Sequence, residues 1–153
     1  MSALPRPEPR IRPLAERDLD PVVAIEREIY EFPWTLGNFR DSLAAGYSCW
    51  AYHGADGLVG YAVMMIGAGE AHLLNLSVAS ACQRRGYGRQ LLEHLMGVAR
   101  SYGASVLLLE VRPSNRAGRA LYAAYGFEQV GIRREYYPAR GGREDALLLA
   151  FQL

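Results

Sequence analysis

The spacing of hydrophobic residues changes along the chain, from a helical period near the start to strand-like runs after residue 46. Between residues 20 and 30 the apolar side chains recur on one helix face, and the opening Asp-Pro pair is typical of a helix start. Phe32-Pro33-Trp34 then interrupts the pattern. Thr35 is a suitable cap for a second helix, which Gly46 closes. A short strand over residues 11–14 is expected before both helices.

The rest of the chain predicts strands separated by two further helices. The predicted strands cover residues 47–53, 58–66, 70–78, 106–111, 127–137 and 145–153. One helix begins near Gly88 and ends at Gly103, and the other is capped by Ser114 or Asn115 and ends at Gly126. The continuous apolar run at 106–111 indicates a strand buried on both faces. The order β-α-α-β-β-β-α-β-α-β-β predicts an α/β or α+β fold with a mixed sheet.

Length and charge limit the class of protein. With 153 residues, 50% hydrophobic residues and a net charge of +1, the chain predicts one globular domain and no general nucleic-acid or membrane affinity. Residues 1–10 are expected to form a loose arm, and 11–153 a single domain. No apolar run is long enough to span a bilayer, and no secretory h-region opens the chain, so a cytoplasmic protein is expected. The three His residues have no metal-ligand spacing, so no metal is expected.

A glycine-containing loop lies between a predicted strand and a predicted helix. Its sequence is Gln-Arg-Arg-Gly-Tyr-Gly at residues 83–88. Two glycines allow a tight bend, so that successive N–H groups and the N-terminus of the next helix point at one anion. The loop lacks the Lys of a P-loop and the third glycine of a dinucleotide fingerprint. It predicts a pyrophosphate cradle, although a tight turn with solvated arginines fits the same pattern.

Two further residues are candidates for chemistry. Glu110 interrupts the apolar run at 106–111, where an unpaired carboxylate would be costly. It is a candidate functional acid, or else it pairs with Arg112. Tyr122 lies on the last predicted helix, where it is either a core aromatic or a functional hydroxyl.

Together these residues carry a resemblance to a known family. Gln83-x-x-Gly86-x-Gly88 matches the Q/R-x-x-G-x-G/A signature of the GNAT superfamily of N-acetyltransferases. Within it the chain resembles the RimI-type bacterial ribosomal-protein alanine N-acetyltransferases, from about residue 11 to the C-terminus. The segments that match this type are Phe32-Pro33-Trp34, Leu74–Val78, Gln83–Arg89, Leu109–Asn115, Ala120–Tyr122, Gly126-Phe127, Arg133-Arg134-x-Tyr136-Tyr137 and Gly142–Ala146.

The resemblance implies a fold, a reaction and a site. The fold is a mixed central sheet of about seven strands with helices on both faces. The reaction is direct transfer from acetyl-CoA, in a ternary complex without an acyl-enzyme, to the N-terminal alanine of a small-subunit ribosomal protein. Glu110 matches the family's general base and Tyr122 its general acid. The positions that match acetyl-CoA contacts are Leu76, Ser77, Val78, Arg84, Arg85, Gly86, Tyr87, Gly88, Arg89 and Asn115.

Three aromatic residues match the acceptor side of the family's site. They are Trp34, Tyr136 and Tyr137, whose other interpretations are a core wedge for Trp34 and a solvated strand end for the tyrosines. Other functions also remain open. They are acetylation of several protein N-termini, of a Lys side chain or of a small amine, and a non-catalytic acyl-CoA-binding module.

Overall fold

The computed structural model describes residues 10–153, which form two compact units. One unit contains residues 10–63 and 75–94, and the other contains residues 64–74 and 95–153. The expected arm at residues 1–10 lies outside the described residues except for Arg10. That residue already belongs to the first strand, where it pairs with His53.

Eleven helices and strands follow one another in the described part of the chain. They are β1 (Arg10–Pro13), α1 (Leu19–Ile29), α2 (Leu36–Ala44), β2 (Ser48–Gly54), β3 (Gly57–Gly67), β4 (Glu70–Val78), α3 (Tyr87–Ser101), β5 (Val106–Val111), α4 (Arg116–Tyr125), β6 (Glu128–Ala139) and β7 (Gly142–Gln152). The strands are ordered β1-β2-β3-β4-β5-β7-β6. Because β4 and β5 are parallel while β1–β2, β5–β7 and β6–β7 are antiparallel, the predicted mixed sheet and element order are confirmed.

Helix caps were predicted well except at the start of α1. Thr35 accepts a hydrogen bond from the Asn38 N–H and donates its own N–H to the Asn38 side chain, which closes the first turn of α2. The α1 helix instead begins at Leu19, after a short 3₁₀ turn over Glu16–Asp18. The Asp-Pro pair therefore lies inside its first turn, where Pro is tolerated because the N–H it lacks has no intrahelical partner.

The apolar faces of α1 and α2 form the core of the first unit. Leu19, Val22 and Phe39 are buried against Tyr61 and Val63 of β3. Phe39 packs edge-on to Tyr61, with ring centroids 5.7 Å apart. This helix face carries one acid among its apolar residues, and that acid becomes important for the site.

In the second unit, β5 differs from the prediction. Leu107, Leu109 and Val111 are buried, but Val106, Leu108 and Glu110 on the other face are only half-buried. The expectation of burial on both faces was therefore wrong for the face that carries Glu110. The partly open face leaves room around this carboxylate for polar neighbours.

Candidate active site

The loop after β4 has the backbone that a bound anion requires. Arg84 and Gly86 both have left-handed conformations, with φ of 63° and 85°, on either side of Arg85. The Gln83 side chain donates to the Val78 carbonyl at 3.0 Å and so attaches the loop to the end of β4. The loop residues from 83 to 86 are exposed, and α3 begins directly after them. The Gln83 N–H bonds within the preceding turn, whereas the N–H groups of residues 84–86 are open to an anionic ligand.

Two residues of the predicted cradle are engaged elsewhere through their side chains. The Tyr87 ring packs against Tyr52, with ring centroids 5.1 Å apart, and joins a small apolar cluster that includes Leu76. The Arg89 guanidinium lies 3.1 Å from Glu93, one turn along α3. Tyr87 can therefore contribute its backbone to the cradle, while Arg84 and Arg85 offer exposed charge.

A buried carboxylate that the sequence analysis missed organises the first unit. Glu26 of α1 is 1% exposed. Its Oε1 accepts from the Tyr61 hydroxyl at 2.8 Å and from Asn75 Nδ2 at 3.0 Å, and its Oε2 accepts from the Trp34 N–H at 2.8 Å. Three donors satisfy a carboxylate that has been removed from water. The signal was available, because Glu26 lies on the same helix face as Val22 and Ile29.

The same network continues to Ser77 and Tyr30. The Ser77 hydroxyl donates to Asn75 Oδ1 at 2.6 Å, and the Tyr30 hydroxyl lies 2.6 Å from Ser77 Oγ. Burial raises the pKa of Tyr30 to about 12, with the nearby Glu26 charge adding to the effect and the Ser77 hydrogen bond opposing it. The predicted residue Ser77 is thus fixed by its side chain inside a buried network, which leaves its backbone as the part able to contact a ligand.

Trp34 lies between this network and the helix core. Its backbone N–H is held by Glu26, and its ring packs on Phe39 with centroids 5.2 Å apart. Its side chain is half-buried, whereas Phe32 two residues earlier is 40% exposed. The segment is therefore anchored at Trp34 and open to solvent at Phe32.

In the second unit, Glu110 has partners from β6. Arg133 Nε lies 3.2 Å from Glu110 Oε1, and the Tyr136 hydroxyl is hydrogen-bonded to the same carboxylate. That hydrogen bond and partial burial raise the pKa of Tyr136. The register explains the approach, because Glu110 opposes Leu148 on β7 and Arg133 opposes Ala146, so both side chains lie on one face of the sheet.

The alternative partner Arg112 is occupied elsewhere. It donates to the Pro138 carbonyl at 2.7 Å and lies 3.3 Å from Glu144, with its guanidinium 4.3 Å from the centre of the Tyr137 ring. Burial raises the pKa of Tyr137, and the Glu110 charge adds to this effect. Tyr137 therefore belongs to a structured cluster near Glu110 and does not fit the alternative interpretation of a solvated strand end, whereas Tyr136 remains exposed.

An irregularity in β6 places the two tyrosines. Residues 134–136 all lie opposite Asp145, because the register passes from Arg133–Ala146 directly to Tyr137–Glu144. Glu135 adopts a left-handed conformation with φ of 51° and donates its N–H to Asp145 at 2.9 Å. This bulge turns consecutive side chains of Tyr136 and Tyr137 toward the same group of charges, which a regular strand would not do.

The last helix holds the remaining candidates. Asn115 caps α4 by accepting from the Gly118 N–H at 3.0 Å. Tyr122 is 7% exposed, and its ring packs against Phe127 with centroids 5.4 Å apart. Its burial agrees with the core interpretation of the ring and leaves the role of the hydroxyl as a prediction.

A profile of the acetyltransferase (GNAT) family matches residues 10–127. The chain belongs to this family. Its relatives include the ribosomal protein bS18-alanine N-acetyltransferase of Escherichia coli strain K12, which is 37% identical over 143 residues, or 94% of this chain and 97% of the relative. The protein of the same name from Haemophilus ducreyi is 35% identical over 144 residues, or 94% and 99% of the two chains.

The fold of the acetyltransferase agrees with these matches. The crystal structure of the ribosomal-protein-S18-alanine N-acetyltransferase from Escherichia coli superposes with a TM-score of 0.86 over 94% of this chain and 93% of that one, at 37% identity. The chain is accordingly an N-acetyltransferase that uses acetyl-CoA as its donor. Within residues 10–153, no group of three or more His, Cys, Asp or Glu residues is placed to hold a metal ion. Over the same residues, no helix combines the length and apolarity needed to cross a membrane.

Proposed function

We propose that this acetyltransferase transfers the acetyl group of acetyl-CoA to the N-terminal alanine of a small-subunit ribosomal protein, in the cytoplasm. The observation that carries the proposal is the match to bS18-alanine N-acetyltransferases across 94% of this chain and 97% of theirs. A match over this share of both chains includes the loops around the site, where acceptor choice is decided. Broader acceptors, such as several N-termini, a Lys side chain or a small amine, are the second candidate.

The acceptor amine needs only modest help from the enzyme. An α-amine has a pKa of about 7.7–8.0, so a useful fraction is neutral at cytoplasmic pH, whereas a Lys amine near 10.4 is almost fully protonated. In our proposal Glu110 accepts one proton from the attacking nitrogen, directly or through a water. Its half-buried position on β5 supports this role, because a carboxylate that is partly shielded and still reachable can exchange a proton with a ligand.

The acceptor amine must displace the Arg133 guanidinium from Glu110. Arg133 is 56% exposed, and ion pairs this open to solvent contribute only about 0–1 kcal/mol. An arriving α-ammonium therefore competes with the guanidinium on nearly equal terms. Tyr136, which is hydrogen-bonded to the same carboxylate, can stay in place and orient it.

Tyr122 is proposed to protonate the departing thiolate. When the nitrogen bonds to the acetyl carbon, the carbon–sulfur bond breaks and its electron pair stays on sulfur. A phenol is protonated at neutral pH and can donate to this atom. The acetyl-CoA thioester supplies the activated acyl group. The backbone N–H groups of residues 76–78 are proposed to stabilise the charge on its oxygen, and Arg84, Arg85 and the glycine loop to bind its pyrophosphate.

Replacing the proposed base tests this account. We expect Glu110→Gln to lower kcat at least about 100-fold, because general-base catalysis contributes roughly 10²–10⁴. The residual rate should rise further into the alkaline range, as more of the α-amine becomes neutral without assistance. Steady-state kinetics against an alanine-initiated peptide would measure this, together with calorimetric binding of acetyl-CoA, which should be unchanged.

The matched control is Glu128→Gln, which removes an exposed carboxylate from the start of β6. It should keep wild-type kcat. A Glu110→Gln variant with a rate and pH profile close to those of the wild type would remove Glu110 as the base.

A further inference from the structure

The hydrogen bonds around Glu26 can run in only one direction. A carboxylate oxygen accepts, so Asn75 must present its Nδ2 to Glu26 and its Oδ1 to Ser77. Ser77 therefore donates its single hydroxyl proton to Asn75. The bond between Tyr30 and Ser77, at 2.6 Å, can then be made only by the Tyr30 proton.

This direction determines what Tyr30 can still bind. The Tyr30 hydroxyl donates its proton to Ser77, which is the one hydrogen-bond partner of that hydroxyl within residues 10–153. The phenolic oxygen keeps acceptor capacity only. A ligand that approaches it must therefore bring an N–H or O–H group, and a ligand that offers only acceptors is disfavoured.

Tyr30 stands where the chain leaves α1 for the segment anchored at Trp34. It is the residue after the last turn of α1, has an extended backbone and is half-buried. The carboxylate that directs its proton inward also fixes the Trp34 N–H. Glu26 thus positions both the Tyr30 hydroxyl and the backbone of Trp34, a residue that matches the acceptor side of the family's site.

We infer that the Tyr30 hydroxyl oxygen accepts a hydrogen bond from the α-amine of the acceptor. This inference rests on the proposed function, because it takes the acceptor to be a peptide N-terminus. An ammonium or amine nitrogen is the donor of an N-terminal residue that sits at the reacting end, and a neutral phenolic oxygen holds it without removing its proton. Tyr30 is therefore an acceptor-binding residue, and Glu26, Asn75 and Ser77 are positioning residues that act through it.

The test compares two ligands in two tyrosine variants. One ligand is an alanine-initiated peptide, and the other is the same peptide with its first residue replaced by a propionyl group, which removes only the α-amine. We expect Tyr30→Phe to raise the KM of the amine peptide about tenfold, the size expected for loss of one hydrogen bond to a charged donor. The inhibition constant of the propionyl peptide should stay as in the wild type.

Tyr61→Phe is the matched control. It removes a hydroxyl from the same carboxylate, at a side chain that is fully buried and cannot reach a ligand. It should lower the melting temperature and weaken both peptides by the same factor. Ser77→Ala keeps Tyr30 but frees its proton, so we expect it to raise the KM of the amine peptide by a smaller factor than Tyr30→Phe.

The possible failures differ from one another. Equal weakening of both peptides by Tyr30→Phe, or an unchanged KM, would overturn the inference while leaving the acetyltransferase assignment intact. A selective loss in Tyr61→Phe would also overturn it. If the wild-type enzyme does not turn over the amine peptide, the proposed acceptor is wrong and the inference falls with it.

Discussion

Single carboxylates with different partners organise this acetyltransferase. Glu26 is buried and surrounded by neutral donors, whereas Glu110 is partly open and meets an exposed Arg133 and a tyrosine hydroxyl. Glu144 joins Arg112 to the loop before α4 by accepting from the Ser114 N–H and hydroxyl. Glu26 thus stabilises the fold, Glu144 connects a hairpin to a helix start, and Glu110 has the partly open position that its proposed role in proton transfer needs.

Glu144→Gln should lower stability in a pH-dependent way. Partial burial alone would raise the pKa of Glu144, but the hydrogen bonds from Ser114 and Arg112 outweigh it and lower that pKa. The unfolded chain therefore binds the proton more readily, so the carboxylate stabilises the fold fully above about pH 4.3 and loses this effect as the pH falls through the folded-state value. Thermal unfolding should show a loss of about 1–3 kcal/mol at pH 7 that shrinks in acid.

The control for that experiment is Glu135→Gln, an exposed carboxylate on the same hairpin. It should leave the melting temperature nearly unchanged at every pH. A Glu144→Gln penalty that is the same at pH 3 and pH 7 would contradict the role assigned to the charge.

At this scale the sequence predicted residue types better than partners. Glu110 was detectable because it interrupts an apolar strand, and Tyr122 because its position matches a family motif. The pairing of Glu110 with Arg133 could not be predicted from the sequence, since it depends on the order of β5, β7 and β6 in the sheet. The hydrogen bonds of Glu26 were not predictable either, because they join α1 to β3 and β4, which are far apart in the sequence.

Among the structural elements, the loop between β4 and α3 depends on two residues with a left-handed backbone, Arg84 and Gly86. Gly86 has φ of 85°, and a Cβ there would meet no atom within 4 Å. Gly86→Ala therefore costs backbone strain of about 1–2 kcal/mol without any clash. We expect the loop to relax away from the cradle and the Kd for acetyl-CoA, measured by calorimetry, to rise by up to about tenfold.

Gly97→Ala is the control for the loop. Gly97 lies within α3, is exposed, and also has no neighbour within 4 Å of an added Cβ, but its φ is not positive. Alanine should stabilise the helix by about 1 kcal/mol and leave acetyl-CoA binding unchanged. Equal acetyl-CoA affinity in Gly86→Ala and the wild type would show that the loop conformation is not needed for binding.

Element ends were predictable where a local signal exists. Thr35, Asn115 and Gly126 cap helices as expected, because each supplies a bond or a left-handed φ that the helix end requires. The last hairpin is longer than predicted, and its bulge was not foreseen. The bulge has no local sequence signal, because the residue with the positive φ is Glu135 and not a glycine. A hydrogen bond to Asp145, ten residues away, stabilises it.

For the whole molecule, hydrophobic periodicity predicted the order of elements and the mixed sheet. The family follows from a short signature placed between the right elements, and the comparison with known acetyltransferases confirms it. The acceptor is a harder question, because one fold serves many acceptors through changes in its loops. Here the hairpin cluster around Glu110 and the network behind Tyr30 and Trp34 are the parts of the two units that differ most from what periodicity alone predicts.

Mass spectrometry of acetylated peptides tests the central claim most directly. Two peptides of one sequence would begin with alanine and contain one Lys, and in the second the α-amine would be blocked by a propionyl group. The enzyme contains no Lys of its own, so any acetyl-lysine would come from the peptide. We predict acetylation of the free peptide at its α-amine and none of the blocked peptide. Acetylation of the Lys in both peptides would contradict the assignment to N-terminal alanine.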